Sequence, residues 1–253
     1  MKGYLLDFGL VENPQKFSGI SDQAFRTLGE NEMILQMFSQ KTPSISIGYD
    51  DTKAPHFKEG VEHYRSKGLK VGIRGAGGRS VANDEGILNF SILFKSQEPS
   101  HAHYVFFHKF MQDALKPLGL TFNLGEVTGA YCPGTYDISI DGKKVAGTAS
   151  RQVRDNTLVG CYLGVNGDQY KRSKVISEFY EITKDVIRVD TNKLTTIEEQ
   201  LDRPISVQEV KDLLIAHFKT ITDSLENYDI SKISQEDIDA SVKRMSTYSE
   251  RYL

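Results

Sequence analysis

Hydrophobic and polar residues alternate in several short segments of this chain, and that spacing predicts β-strands. The clearest case is residues 87–94, where Leu88, Phe90, Ile92 and Phe94 fall on one face. A period of two residues puts every second side chain on the same side of a sheet. Alternating or continuously apolar segments predict the other strands, which cover residues 44–49, 71–74 and 157–165 and a hairpin at 136–149.

Apolar residues spaced three or four positions apart predict helices between these strands. Ser21 is a typical N-cap residue for a helix over 22–38, whose apolar positions are Phe25, Leu28, Ile34, Leu35 and Phe38. Further helices are predicted at 58–68, 101–118, 174–180, 204–219 and 234–252. Helices that pack on a mixed sheet make an α+β fold, and we expect that class here.

The composition sets the size and the broad class of the protein. With 253 residues and 39% hydrophobic content, the chain can form one large domain, to which residues 205–253 add a helical extension. The net charge of −3 and the scattered basic residues give no reason to expect a nucleic acid partner. Residues 1–15 match neither a signal peptide nor a membrane span, because Asp7 interrupts their short apolar stretch.

The chain contains two cysteines, which is too few for a disulfide framework. We therefore expect a reduced, cytoplasmic protein that is not bound to a membrane. We expect neither a metal ion nor another cofactor.

Asp141-Gly142 is a strong signal for a two-residue hairpin turn between alternating segments. This turn fixes which residues lie opposite each other on the two strands. Ser139 faces Lys144, so Lys144 shares a face of the sheet with Ser139 and, diagonally, with Asp137.

Cys132 precedes this hairpin on a loop, because Pro133-Gly134 cannot continue a regular strand. We expect the loop to fold back over the face that carries Lys144. A free thiol is only a few per cent ionised at neutral pH, so a nucleophilic cysteine needs a neighbouring base or cation. No histidine is close to Cys132 in the sequence, and the Lys144 ammonium is the simplest partner.

The two cysteines differ in their neighbours. Cys161 lies in the apolar run 158–165, where a buried cysteine acts as a small hydrophobic residue. Cys132 lies among Gly, Ala, Tyr and Pro in a turn, where a thiol is accessible for reaction. We expect Cys161 to be part of the core and Cys132 to react, with an inert Cys132 as the alternative.

Residues 74–81 form a glycine-rich connection between two predicted strands. Glycines leave backbone N–H groups open to a ligand, because no side chain blocks the approach. The segment lacks the Gly-Lys-Ser/Thr of a Walker A loop, and it does not precede a helix as a Rossmann fingerprint does. Arg74 adds a fixed cation at its start, which favours a binding site over a simple tight turn.

Taken in order, three motifs resemble the superfamily of lipoate ligases, biotin ligases and octanoyltransferases. They are Arg74-x-x-Gly77-Gly78-x-x-Val81, Asp84-x-Gly86-x-Leu88-Asn89-x-Ser91 and Asp137-x-x-x-x-Gly142-Lys143-Lys144-Val145-Ala146-Gly147. Within the superfamily, Cys132-Pro133-Gly134-x-Tyr136-Asp137 resembles the lipoyl-assembly amidotransferases of Gram-positive bacteria. The resemblance covers residues 20–215.

This resemblance implies the fold of biotin synthetases and class II aminoacyl-tRNA synthetases, a mixed sheet flanked by helices. It implies that Cys132 carries the acyl group as a thioester and that Lys144 polarises the acyl carbonyl. The residues implied for the substrate site, where Asp84 shapes the loop behind the acyl group, are Arg74, Gly77, Gly78, Asp84 and Gly147.

The same resemblance implies the reaction and the partners. The enzyme would move an octanoyl or lipoyl group from the lysine of the glycine-cleavage H protein to the lysine of lipoyl domains of 2-oxoacid dehydrogenase E2 subunits. An octanoyltransferase that uses octanoyl-acyl carrier protein is the alternative. An ATP-dependent lipoate ligase is disfavoured, because the doubled arginine of such ligases is Ile73-Arg74 here. A further alternative, which is not an enzyme, is a module that only binds lipoyl domains.

Overall fold

The computed structural model describes residues 1–12, 14–74 and 78–253, apart from the side chains of residues 15, 16 and 248. Within these residues the strands are β1 (Lys2–Val11), β2 (Glu32–Gln40), β3 (Ser44–Ile47), β4 (Lys70–Ile73), β5 (Val81–Asn83), β6 (Ile87–Lys95), β7 (Asn123–Leu124), β8 (Ile138–Ile140), β9 (Lys143–Val153), β10 (Asn156–Gly164) and β11 (Ser224–Asn227). The α-helices in the same part of the chain are α1 (Pro14–Arg26), α2 (Phe57–Ser66), α3 (Ser100–Ala114), α4 (Gln169–Thr183), α5 (Ile197–Leu201), α6 (Val207–Thr220) and α7 (Gln235–Tyr252).

The strands form two sheets. Among the described residues the larger sheet has the order β11-β1-β2-β6-β10-β9-β8-β7, and the smaller one has the order β4-β3-β5. In the larger sheet β1 runs parallel to β2 and β11, whereas the other pairs are antiparallel. The sheet is therefore mixed and flanked by helices, as the sequence predicts.

Each face of the larger sheet is covered by helices. On one face, Leu88, Phe90 and Ile92 of β6 belong to the same buried cluster as Phe107 of α3 and Phe218 of α6. A second cluster joins the opposite face to α1, and its members include Ile20, Phe25, Ile34 and Leu93. The alternation of residues 87–94 thus has the function that its pattern predicts, because one set of side chains fills the core under α3 and α6.

The smaller sheet has its own core with α2 and α4. Tyr64 of α2 and Phe179 of α4 stack with ring centroids 4.7 Å apart, in a cluster that also contains Ile47 and Ile73 of the sheet. Gly60 lets the two helices approach, because a Cβ there would lie 2.5 Å from the Phe179 ring. This packing fixes β3, β4 and β5, of which β4 and β5 flank the glycine-rich segment.

The helix predicted over residues 22–38 is wrong. Helix α1 runs from Pro14 to Arg26, so Ser21 lies inside it and is not its N-cap, and β2 begins at Glu32. Met33, Ile34 and Leu35 are all buried, because β2 has helices on both of its faces. A strand buried on both sides has a nearly continuous apolar sequence, which periodicity cannot distinguish from a helix.

The C-terminal segment 205–253, predicted as a helical extension, also supplies the edge strand β11. Ser206 and Ser234 cap α6 and α7, and each side-chain oxygen accepts an N–H bond from three residues later. Helix α7 packs on α1 and reaches β4, where Ser249 Oγ accepts a hydrogen bond of 2.9 Å from the Ile73 N–H. The last helix is thus bonded to the strand that leads into the glycine-rich segment.

A search of the described residues found no helix with both the length and the apolar content needed to cross a membrane.

Candidate active site

The hairpin between β8 and β9 places Lys144 as the sequence predicts. Asp141 and Gly142 form its turn with φ values of 48° and 74°. Both values lie in the left-handed region that the favoured two-residue hairpin turns require. Ser139 pairs with Lys144, which confirms the predicted register.

Lys144 is completely buried and donates to three oxygens. Its Nζ lies 2.8 Å from Asp137 Oδ1 and 3.1 Å from the carbonyl oxygen of Tyr131, and it also donates to the carbonyl oxygen of Cys132. An ammonium has three N–H donors, so these contacts use all of them. The structure therefore brings Lys144 and Cys132 together, through the main chain of Cys132.

Asp137 connects this ammonium to the turn that follows Cys132. Its Oδ2 accepts a hydrogen bond of 3.1 Å from the Gly134 N–H. Burial raises the pKa of the Asp137 carboxyl, and the Lys144 ammonium and the Gly134 N–H oppose this rise. Asp137 and Lys144 together hold residues 131–134 in place.

Cys132 has a positive φ of 45° and a partly exposed side chain. Non-glycine residues seldom adopt this conformation, and they do so where surrounding contacts impose it. The bonds from Lys144 to the carbonyl groups of Tyr131 and Cys132 are such contacts. The loop thereby turns the thiol away from Lys144's donors and towards the glycine-rich segment.

Two donors from the glycine-rich segment face the sulfur. The backbone N–H of Arg79 lies 3.2 Å from Cys132 Sγ, and Nη2 of Arg74 lies 3.8 Å from it. The Arg74 guanidinium is itself held by β3, where Nη1 donates to the Ser46 carbonyl oxygen at 2.7 Å. A thiolate at this position would meet one fixed cation and one main-chain N–H.

Gly78 packs directly beside the thiol. Its φ is +86°, and a Cβ at this position would lie 3.3 Å from Cys132 Sγ and 3.4 Å from Arg74 Nη2. A larger residue would therefore crowd the sulfur as well as strain the backbone. Gly77, the neighbouring residue of the predicted site, lies outside the described residues.

Asp84 and Gly147, the other predicted substrate residues, make contacts within the protein. Asp84 forms a two-point ion pair with Arg172 of α4, with bonds of 2.6 and 2.8 Å, and accepts the Gly86 N–H at 2.9 Å. Gly147 lies opposite Tyr162, whose ring would be 2.4 Å from a Cβ at Gly147. Asp84 thus fixes the turn between β5 and β6, and Gly147 leaves room for an aromatic ring.

Cys161 has a different environment from Cys132, as its sequence context predicts. It is only 8% exposed, in the cluster under α3 and α6. Burial raises the pKa of the Cys161 thiol well above its usual value. A buried, protonated thiol is inert, and Cys161 is part of the core.

Sequence reasoning missed three residues that contact the thiol or the segment beside it. Arg79, whose N–H faces the sulfur, lies in the glycine-rich segment, but its sequence context does not distinguish it from its neighbours. Asp50 and Asp51, which bind that segment, carry no motif that distinguishes them from other acidic residues in a turn. Their position in the turn that follows β3 is their only signal, because β3 adjoins both strands that flank the glycines.

The arrangement of sheets and helices is that of the lipoate-protein ligases. A crystal structure of lipoate-protein ligase A bound with ATP has a TM-score of 0.75 at 20% identity, over 96% of this chain and 94% of that one. A bi-partite lipoate protein ligase from Thermoplasma acidophilum has a TM-score of 0.70 at 21% identity, over 96% and 91%. At these identities the likeness shows the fold alone, and it confirms the predicted class II synthetase-like α+β fold.

The family model for the lipoyl protein ligase A/B catalytic domain matches residues 8–219. The match covers most of the chain, and the protein belongs to this family.

Curated relatives are named as transferases. A protein of Macrococcus caseolyticus, 32% identical over 74% of this chain and 72% of its own length, is named octanoyl-[GcvH]:protein N-octanoyltransferase. So is a protein of Exiguobacterium sibiricum, 30% identical over 83% and 80%. A Listeria monocytogenes protein, 34% identical over 55% and 51%, is named lipoyl-[GcvH]:protein N-lipoyltransferase. The predicted superfamily and the predicted acyltransferase activity are confirmed.

Proposed function

We propose that this chain moves an octanoyl group from the lysine of the octanoylated glycine-cleavage H protein to the lysine of lipoyl domains of 2-oxoacid dehydrogenase E2 subunits. The acyl group passes through a thioester on Cys132. The observation that carries this proposal is the contact of Cys132 Sγ with the Arg79 N–H and the Arg74 guanidinium. The names of the relatives support the donor.

The reaction consists of two balanced acyl transfers. The Cys132 thiolate first forms a C–S bond to the amide carbonyl, the C–N bond breaks, and the released lysine amine takes up a proton. The neutral amine of the acceptor lysine then attacks the thioester, the C–S bond breaks, and the new amide nitrogen loses a proton. Donor and product are both lysine amides, so the free energy of the overall transfer is close to zero and the reaction needs no ATP.

The thioester intermediate has a higher free energy than either amide, so the enzyme must stabilise it by binding the acyl chain. Burying about seven carbons of an octanoyl chain contributes roughly 5 kcal/mol, at about 0.8 kcal/mol per carbon. We assign the acyl site to the residues of the predicted motifs, which are Arg74, Gly77, Gly78, Asp84 and Gly147. Arg74 and Gly78 lie next to Cys132 Sγ. Asp84 acts indirectly, through the turn between β5 and β6 that it fixes.

Lys144 supports the same reaction by holding the loop of Cys132. Its charge lies next to the reacting residue, but its donors bond to Asp137 and to the carbonyl groups of Tyr131 and Cys132. Lys144 must give up one of its hydrogen bonds to these carbonyl oxygens before it can donate to an acyl oxygen. Such an exchange would allow it to polarise the acyl carbonyl and to protonate the leaving amine.

Mass spectrometry with octanoylated H protein as donor and no ATP tests the covalent step. We expect an octanoyl adduct on the wild-type chain and on Cys161→Ala, and none on Cys132→Ala. Cys161→Ala is the matched control, because it removes the other thiol of the chain. An adduct that persists on Cys132→Ala would refute the thioester on this residue.

The donor and the identity of the acyl group are tested in the same assay with an apo lipoyl domain as acceptor. Octanoyl-acyl carrier protein replaces the H protein in one reaction, and a lipoylated H protein replaces the octanoylated one in another. The Listeria relative named as a lipoyltransferase favours the lipoyl group as a second substrate. Transfer only from the acyl carrier protein would overturn the proposed donor, and transfer only with added ATP and free lipoate would reinstate a ligase.

We place this reaction in the cytoplasm. The structure contains both cysteines as free thiols, and a reducing compartment keeps a nucleophilic thiol available.

A further inference from the structure

Residues 78–80, which adjoin the thiol, are bound one by one to the turn that follows β3. The Gly78 N–H donates to Asp50 Oδ2 at 3.2 Å. The Arg79 side chain donates to Asp51 Oδ1 at 3.1 Å, and Ser80 Oγ donates to Asp51 Oδ2 at 2.7 Å. The turn containing Asp50 and Asp51 thus determines where this short segment lies.

Asp51 accepts most of the hydrogen bonds in this network. Its side chain is completely buried, and Tyr180 OH also donates to it, at 3.3 Å. Arg79 binds a second carboxylate, Asp185, at 2.9 Å, so its guanidinium bridges the turn after β3 and the end of α4. Burial raises the pKa of the Asp51 carboxyl, whereas the bonds from Ser80 and Arg79 oppose that rise.

The main chain of Arg79 links this network to the sulfur. While its side chain is anchored by Asp51 and Asp185, its N–H points at Cys132 Sγ, 3.2 Å away. Its carbonyl oxygen accepts a bond from Arg74, whose guanidinium also faces the sulfur. Arg79 therefore holds one donor to the thiol by its own main chain and, together with Ser46, helps to hold the other.

We propose that Asp51 and Arg79 are positioning residues for the nucleophile, because their ion pair fixes the Arg79 N–H and the Arg74 guanidinium against Cys132 Sγ. The inference rests on the proposed function, in which Cys132 reacts as a thiolate. Two carboxylates offset the charge of Arg79, so Arg79 acts on Cys132 chiefly by placing donors, and Arg74 supplies a cation 3.8 Å from the sulfur.

The pH profile of Cys132 alkylation by iodoacetamide measures this effect, because only the thiolate reacts. The other thiol and the tyrosines that interact with Cys132 do not interfere. Burial raises the pKa of Cys161, Tyr131, Tyr162 and Tyr180, so these groups stay protonated through the titration. Other charged groups near the thiol loop, among the described residues, include Lys144 with Asp137, and Asp50 beside Gly78. A Cys132→Ser blank gives the background.

Two variants disturb the ion pair of Asp51 with Arg79 but keep the backbone N–H of residue 79. Asp51→Asn removes the buried charge, and Arg79→Lys keeps the positive charge but loses the fork that reaches both carboxylates. For Arg79→Lys, which leaves both carboxylates in place, we expect the midpoint of the alkylation profile to rise by about one pH unit, which is a loss of roughly tenfold in rate at lower pH, the size of one hydrogen bond to a charged group. For Asp51→Asn we expect a smaller rise, because the charge of Arg79 is then less offset and favours the thiolate. Arg79 is 24% exposed in its side chain, so Arg79→Lys is the safer variant for folding.

The matched control is Asp22→Asn, which removes another buried carboxylate that holds arginines, on α1. We expect it to destabilise the fold and to leave the alkylation midpoint unchanged. An unchanged midpoint in folded Arg79→Lys would overturn the inference, as would an equal rise in Asp22→Asn. The readout needs no acyl donor, so a wild-type chain that fails to transfer octanoyl groups refutes the proposed function separately.

Discussion

Nζ of Lys144 lies 2.8 Å from Oδ1 of Asp137, and neither side chain is more than 3% exposed. A buried ion pair offsets the cost of removing two charges from water only while both partners are present. This pair joins β9 to the turn after Cys132, so its loss affects both stability and the site.

Lys144→Met should lower the free energy of unfolding by about 3–5 kcal/mol, because it leaves Asp137 as a buried, unpaired carboxylate. Urea unfolding at neutral pH measures the change. Lys143→Met is the matched control, since Lys143 is the exposed neighbour on the same strand, and a change within about 0.5 kcal/mol is expected there. Equal values for the two variants would show that the ion pair is not needed for stability.

The hairpin turn predicts a purely conformational cost at Gly142. Its φ is +74° and a Cβ would meet nothing within 4 Å, so Gly142→Ala adds strain without a clash. We expect a loss of about 1–2 kcal/mol in thermal or chemical unfolding. Gly72→Ala is the comparison, because Gly72 also has open space but no positive φ in the left-handed region. If both substitutions cost the same, backbone strain does not explain the glycine at position 142.

Because Arg172 forms a two-point ion pair with Asp84, we expect its replacement by lysine to lower the free energy of unfolding. Arg172 is only 6% exposed in its side chain and makes two parallel bonds to the carboxylate, which an ammonium cannot reproduce. Arg172→Lys should cost about 2–4 kcal/mol in unfolding experiments. Arg203→Lys serves as the control, because Arg203 and Glu209 form an exposed pair that contributes about 0–1 kcal/mol. A loss no larger than that of the control would count against a structural role for the pair.

Asp22 predicts how stability depends on pH. Burial alone would raise the pKa of this carboxyl, but bonds from Arg26, Arg151, Arg244 and Ser241 outweigh it and hold the pKa well below its usual value of 3.8. A lowered folded-state pKa gives stability that is complete above the unfolded value and is lost as the pH falls below it. We expect the stability difference between wild type and Asp22→Asn to shrink as the pH falls from 5 to below about 3.8, a range that covers the unfolded pKa. Urea unfolding at several pH values measures it, and a difference that stays constant with pH would contradict the assignment.

Much of the local structure was predictable because its causes are local. The pairing of Ser139 with Lys144 follows from Asp141-Gly142, since a two-residue turn fixes the register of both strands. Helices α6 and α7 begin close to the predicted positions 204 and 234, and their caps at Ser206 and Ser234 depend on bonds that span three residues. The burial of Cys161 follows from the apolar run around it.

The sequence by itself therefore determined the hairpin, the burial of most apolar segments and the identity of the candidate thiol. Tertiary structure decided that residues 32–40 are a strand, because helices cover both faces of β2. It also decided which groups face the sulfur, since Arg79 and Cys132 are 53 residues apart. Lys144 is near Cys132 as predicted, but its donors go to main-chain carbonyl groups and Asp137, because a buried ammonium must satisfy all three of its N–H groups.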